Sequence, residues 1–346
     1  MRVAGIALCG VLVATSAVFG GEDARSFQRG VCYASTWRNR GADGYGSATS
    51  QQTLGRLRRL GVEWISVTPF GFMGSVDAPE VRTVTARTIE SDDRLQREVT
   101  QAHALGMKVA LKPHLWIREG EWPGSITWAN DDAWRRWFAS YRAFALHYAT
   151  LAEHDHYDLF VVGTELKSAT ARDPAAWRAL IAEVRKTFHG PVTYAANWDE
   201  AERVAFWDAL DFVGVDEYAP LAKKSGAKEP ELCSAWNVLA RDLEALSRRT
   251  GKRIILTELG YRATRDAAMA PATWPENDAR AQLDLDHQAS CFRAALQALW
   301  GKPWLAGIYV WKWFTDSRDE QGPTDFSVAD KPAEAVIRQF FTRPFR

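Results

Sequence analysis

The sequence of 346 residues predicts a closed (β/α)8 barrel, an α/β fold, on three observations. Eight times, a short apolar, β-branched run is followed by a loop and then by a stretch of helical periodicity. Strands that alternate with helices in this way pair in parallel. Gly61, Gly106, Gly190 and Gly251 each stand just past a helical stretch, where chains end a helix most readily. After the first strand the chain reads Ala34-Ser35-Thr36-Trp37-Arg38, without the glycine-rich phosphate turn that would mark a doubly wound open sheet.

The strands are expected at residues 30–33, 62–68, 108–112, 159–164, 192–195, 212–215, 253–257 and 305–310. Each is apolar along most of its length, as a strand covered on both faces must be. Helices are expected at 51–60, 95–105, 133–151, 174–188, 233–250 and 279–299, each with an apolar stripe. No linker or second composition interrupts this pattern, so residues 21–346 read as one domain.

Residues 1–20 stand apart from it. Arg2 precedes an apolar run with small residues interspersed, and Gly20 is followed by the polar Glu22 and Asp23. This is the pattern of a cleaved secretory signal, too short to serve as a membrane anchor, and it implies a secreted or periplasmic protein. With Cys9 in that segment, Cys32, Cys233 and Cys291 remain, which permits one disulfide at most.

A composition of 47% hydrophobic and 25% charged residues excludes a disordered or fibrous chain. The 43 basic residues balance the 43 acidic ones, so no bulk charge favours nucleic acid. No Cys/His cluster offers a zinc site, and neither a metal nor an organic cofactor is expected. The outlier is tryptophan, with 16 residues. Indole faces suit the apolar faces of sugar rings, and they also suit a hydrophobic core.

In a barrel of this type the chemistry sits at the carboxyl ends of the strands. The fourth strand ends at Glu165 and the seventh at Glu258. A carboxylate directly after a buried apolar strand is costly unless it is paired or used. Three βα units separate the two, which lets them approach across the mouth as the acid and the nucleophile of a glycosidase. Around them the strand ends supply Lys112, His114 and Trp116 on the third, Asn197 on the fifth, Tyr218 on the sixth, and Trp311 and Trp313 on the eighth. Trp37 follows the first strand. These eight form the expected substrate-binding set, with Trp122 a further aromatic of the third loop. Asp216 and Glu217 are rival carboxylates on the sixth strand, placed beside Tyr218 rather than opposite Glu165. For Lys112 and His114 pairing with a nearby acid is the simpler role, for Asn197 a helix cap, and for Trp311 and Trp313 the core.

The chain resembles glycoside hydrolase family 113, whose β-mannanase-like members belong to the large clan of retaining (β/α)8 glycosidases. The resemblance rests on Gly44-Tyr45-Gly46-Ser47, Leu111-Lys112-Pro113-His114, Val162-Gly163-Thr164-Glu165-Leu166, Asp216-Glu217-Tyr218-Ala219-Pro220-Leu221, Leu256-Thr257-Glu258-Leu259-Gly260-Tyr261 and Trp311-Lys312-Trp313-Phe314. It implies Glu165 as acid/base, Glu258 as nucleophile, Tyr218 in contact with the nucleophile, and Trp311 beneath the reacting sugar. Many clan members carry Asn before the acid/base, where it holds the sugar 2-hydroxyl. Here that position is Thr164, and Asn197 or Lys112 is left to make the contact.

The expected activity is therefore hydrolysis of β-1,4-mannan or manno-oligosaccharides by a secreted, monomeric enzyme, with carbohydrate as its partner. Another retaining β-glycosidase, acting on glucan, galactan or a cell-wall glycan, satisfies the same residues. A non-catalytic carbohydrate-binding barrel fits the aromatic residues but leaves the pair of acids without a use. The loops at 70–93, 117–131, 263–277 and 316–330 would shape the groove that decides among substrates.

Overall fold

The computed structural model describes residues 27–83, 89–273, 281–318 and 322–345; the expected leader at 1–20 lies outside the described residues. Its strands are β1 (Gln28–Ala34), β2 (Trp64–Val67), β3 (Phe70–Met73), β4 (Arg82–Thr83), β5 (Lys108–Leu111), β6 (His114–Ile117), β7 (Leu159–Thr164), β8 (Val192–Asn197), β9 (Val213–Glu217), β10 (Ile254–Leu259) and β11 (Leu305–Phe314). Its helices are α1 (Ala48–Arg59), α2 (Asp92–Ala104), α3 (Asp131–His154), α4 (Lys167–Arg172), α5 (Pro174–Thr187), α6 (Glu229–Thr250), α7 (Leu285–Leu299) and α8 (Pro332–Phe341).

Eight strands close into a parallel barrel in the order β1-β11-β10-β9-β8-β7-β5-β2. All eight expected strands are present, and those on the β8 to β11 side run further toward the mouth than their apolar runs alone suggest. Side-chain caps begin α1, α3 and α5, with Ser47 accepting from Ser50 N, Asn130 from Ala133 N and Asp173 from Ala176 N. Gly251 ends α6 in the left-handed conformation, at φ 66°.

Strand alternation sorts the apolar side chains into two bodies. One fills the layer between sheet and helices and includes Trp137, Trp177 and Trp236. The other fills the barrel interior, with Cys32, Trp64, Ala110, Leu159, Ile255, Ala306 and Tyr309, and rises to Tyr218 and Trp311 near the mouth.

Three expectations need correction. The segments 70–93 and 117–131 are not simply loops with the third strand between them. Pro113 cannot donate to a ladder, so the strand stops at Leu111 and restarts as β6, which joins β3 and β4 in a small second sheet. The seventh helix starts at Leu285, because the Asp284 side chain caps it by accepting from His287 N; residues 274–280 lie outside the described residues.

The third correction concerns Trp313. Its partner strand advances from Val31 to Tyr33 while β11 advances from Val310 to Trp313, a bulge of one residue. The extra residue breaks the two-residue alternation with Trp311 and turns Trp313 outward into the sheet–helix layer. There Trp313 is buried beneath the Arg56 guanidinium, 5.4 Å from its ring centre, and is a core residue rather than part of a sugar platform. Among the described residues no helix is long and apolar enough to cross a membrane.

Candidate active site

Glu258 lies on β10 directly beside Asp216 of β9, because the register between these strands slips by one residue at Thr257. A bulge of this kind re-aims a side chain, and here both Thr257 and Glu258 turn inward. Lys112, at the end of β5, extends its ammonium between the two acids. Nζ donates to Glu258 Oε1 at 2.6 Å and to Asp216 Oδ1 at 2.9 Å. Tyr218 donates its hydroxyl to the other oxygen of Glu258 at 2.6 Å, and Thr257 donates to Asp216 Oδ1 at 2.7 Å.

Lys112 and Asp216 are almost completely buried. Burial pulls the lysine pKa down, but the Asp216 and Glu258 carboxylates outweigh it and hold Lys112 charged, above its usual range. Burial, and then the nearness of Glu258, push Asp216 upward, with Lys112 opposing. Tyr218 is likewise raised by burial and by Glu258, so it remains a donor.

Glu165 is built differently. It follows β7 in the left-handed conformation, at φ 52°, with its backbone N–H bonded to Ala195 O at 2.8 Å. Asn197 Nδ2 donates to Oε1 at 2.9 Å, and the indole of Trp122 donates to Oε2 at 2.7 Å. Burial, then the charges of Asp216 and Glu258, push the carboxyl up to about 8, against the pull of Trp122 and Lys112. The side chain retains some solvent exposure at the mouth.

The remaining expected residues fall around these two. His114 lies parallel to Trp311, ring centres 6.1 Å apart, and its Nε2 is 3.9 Å from Glu258 Oε1, beyond hydrogen-bond reach. Burial, and then Lys112, lower its pKa well below the usual range, so it is a neutral imidazole and the contact is no ion pair. Trp311 stands in the upper barrel interior with Tyr218. Trp116 projects from β6 at 49% exposure, edge-on to Phe70, and Trp37 stands 66% exposed after β1. Neither expected candidate for the 2-hydroxyl contact is uncommitted: Lys112 donates to Glu258 and Asp216, and Asn197 holds Glu165.

Two residues that the sequence reading named stand in other places than expected. Asp216 belongs to the base of the site rather than beside it, and Trp122 touches Glu165 instead of serving only an outer position. Asp216 is visible in the sequence as a rival carboxylate at a strand end, but its place beside Glu258 depends on the register slip at Thr257; nothing in the sequence brings Trp122 to Glu165.

Residues 35–331 match the model of Glycoside Hydrolase Family 113. Among solved structures, the chain is similar to the GH113 β-mannanase AaManA from Alicyclobacillus acidocaldarius in complex with ManMIm. The identity is 26%, the TM-score 0.80, and the match covers 92% of this chain and 97% of that one. It is also similar to a GH113 β-1,4-mannanase solved as a complex, at 28% identity and TM-score 0.80, covering 92% of this chain and all (100%) of that chain. A β-glucuronidase of Faecalibacterium prausnitzii, 12% identical, matches with TM-score 0.64 over 92% of this chain and 49% of its own, and shares the fold alone. No curated protein matches the chain.

Proposed function

This chain belongs to glycoside hydrolase family 113 and is a glycoside hydrolase, and from that premise we propose that it cleaves β-1,4-mannan or manno-oligosaccharides with retention of anomeric configuration. The observation that carries the mechanism is the unequal setting of the two acids. Glu258 faces two donors, Lys112 and Tyr218, an arrangement suited to a carboxylate whose oxygens only accept. Glu165 is pushed up to about 8 and is therefore protonated at neutral pH.

In this reading Glu258 attacks the anomeric carbon while Glu165 protonates the departing oxygen. The glycosyl ester that forms removes the negative charge of Glu258, one of the causes raising Glu165. Glu165 then takes a proton from water, which attacks the anomeric carbon, breaks its bond to the Glu258 carboxylate and restores the original configuration. Trp311 floors the reacting sugar, with His114 stacked beside it, and Trp116 and Trp37 offer faces to sugars further along the groove. The mannan assignment rests on the solved relatives that are described as mannanases.

Proton NMR of the first-formed product tests the mechanism: a β-anomer appearing first supports it, and an α-anomer removes Glu258 as nucleophile. A panel of mannan, glucan and galactan tests the substrate. We further propose that residues 1–20 are cleaved on export and that the chain from residue 21 works as a monomer. Amino-terminal sequencing and light scattering of the exported protein test both.

A further inference from the structure

We infer that Glu200, which does not touch Glu165, is a positioning residue for it, because one buried carboxylate anchors both the backbone and the side-chain supports of the proposed acid/base. The inference rests on the assignment of Glu165 as acid/base.

The backbone support runs through Tyr194. Glu165 lies in the left-handed region, which a side chain bearing a Cβ occupies only where its surroundings hold it. The next residue, Leu166, donates its N–H to the Tyr194 hydroxyl at 2.7 Å, and that hydroxyl donates to Glu200 Oε1 at 2.9 Å. Tyr194 is completely buried and can lean against β7 because residue 163 is glycine. A Cβ on Gly163 would lie 3.1 Å from the tyrosine ring and 2.7 Å from the Tyr141 hydroxyl.

The side-chain support runs through Asn197. Its backbone N–H donates to Glu200 Oε2 at 3.3 Å, and Glu200 N donates back to Asn197 O at 2.8 Å. The Asn197 amide then reaches Glu165 Oε1. Thr170, on the helix that follows Glu165, completes the set by donating to Glu200 Oε1 at 2.5 Å. Three donors converge on one almost fully buried carboxylate, so its acceptor capacity organises the strand end, the following helix and Asn197 together. Loss of that hub lets the carboxyl of Glu165 wander from the departing oxygen, where small displacements are costly.

The test compares kcat/KM on mannopentaose, whose leaving group needs a proton, with kcat/KM on 2,4-dinitrophenyl β-mannobioside, whose leaving group does not. Glu200→Gln is expected to lower the first by roughly 10- to 100-fold, a part of what general acid catalysis contributes, and the second by less than about 3-fold. Tyr194→Phe removes one arm alone and is expected to give the same split, which keeps the test usable if Glu200→Gln does not fold. Equal losses on both substrates, tracking a fall in Tm, would mean a merely structural role and overturn the inference. Unchanged kinetics in both variants would overturn it as well. Glu165→Gln is measured alongside: absence of a split there overturns the acid assignment itself, whereas a split there without one at Glu200 and Tyr194 overturns only the positioning role.

Discussion

Around Glu258 the contacts are made by a buried ammonium and a phenol that lies within the field of two carboxylates, on strands whose register places Asp216 alongside. Around Glu165 the donors are neutral, an indole and an amide, and the backbone has already left the strand in a left-handed turn. Both residues are glutamates at the ends of apolar strands, so their difference comes wholly from what surrounds them. At one position a phenol and a cation shared between two acids donate to the carboxyl oxygens. Burial, near two acids that share a single cation, favours a protonated carboxyl at the other.

The sharpest way to break this comparison is to remove each acid. Glu258→Ala is expected to lower kcat/KM on every substrate by about 10,000-fold or more, since the proposed mechanism assigns the ester to no other group. Glu165→Ala is expected to retain the first step on dinitrophenyl glycosides and to regain turnover with azide. Steady-state kinetics on both substrate types reads the contrast, and comparable losses in the two variants would dissolve it.

Next in size is Lys112→Met, which leaves two buried carboxylates facing one another without their cation. Breaking a buried ionic group in this way costs about 3–5 kcal/mol, so calorimetry should show a much lower Tm together with loss of activity. A variant of unchanged stability would mean that Lys112 does not hold the pair.

The two tryptophans of β11 separate in the same spirit. Trp313→Ala should cost about 3–5 kcal/mol of stability, as a large cavity in the sheet–helix layer does, with much of the activity of the folded fraction intact. Trp311→Ala should shift the balance the other way, with turnover lost and a smaller fall in Tm, because Trp311 stands at the mouth end of the barrel interior. Thermal melts set beside turnover numbers decide between them.

The smallest effects are shifts of pH profile. The basic limb of kcat/KM should follow Glu165, which as the proposed acid is protonated to act, with its carboxyl pushed up to about 8. The Trp122 bond lowers that pKa, so Trp122→Phe moves the limb to higher pH. The Asp216 charge raises it, so Asp216→Asn moves the limb to lower pH. Shifts of the same sign in the two variants would contradict the electrostatic account of Glu165.

Much of this architecture was legible in the residues. Each barrel strand is a nearly unbroken apolar, β-branched run, and Glu165 and Glu258 stand out because a carboxylate closes such a run. What stayed hidden depends on register. A one-residue slip at Thr257 sets Asp216 against Glu258, and another in β11 sends Trp313 away from Trp311. Residues 70–73 and 114–117 form strands of four residues each, too short for periodicity to reveal. Trp122 meets Glu165 through the fold of a loop, and no sequence spacing encodes that meeting.

A glycosyl ester on Glu258 is open to direct trapping. The protein is incubated with 2-deoxy-2-fluoro-β-mannosyl fluoride, digested, and its labelled peptide sequenced by mass spectrometry. A single label is expected, on Glu258. A label on Asp216 or Glu165, or an active enzyme that accumulates no ester and releases the inverted anomer, would contradict it.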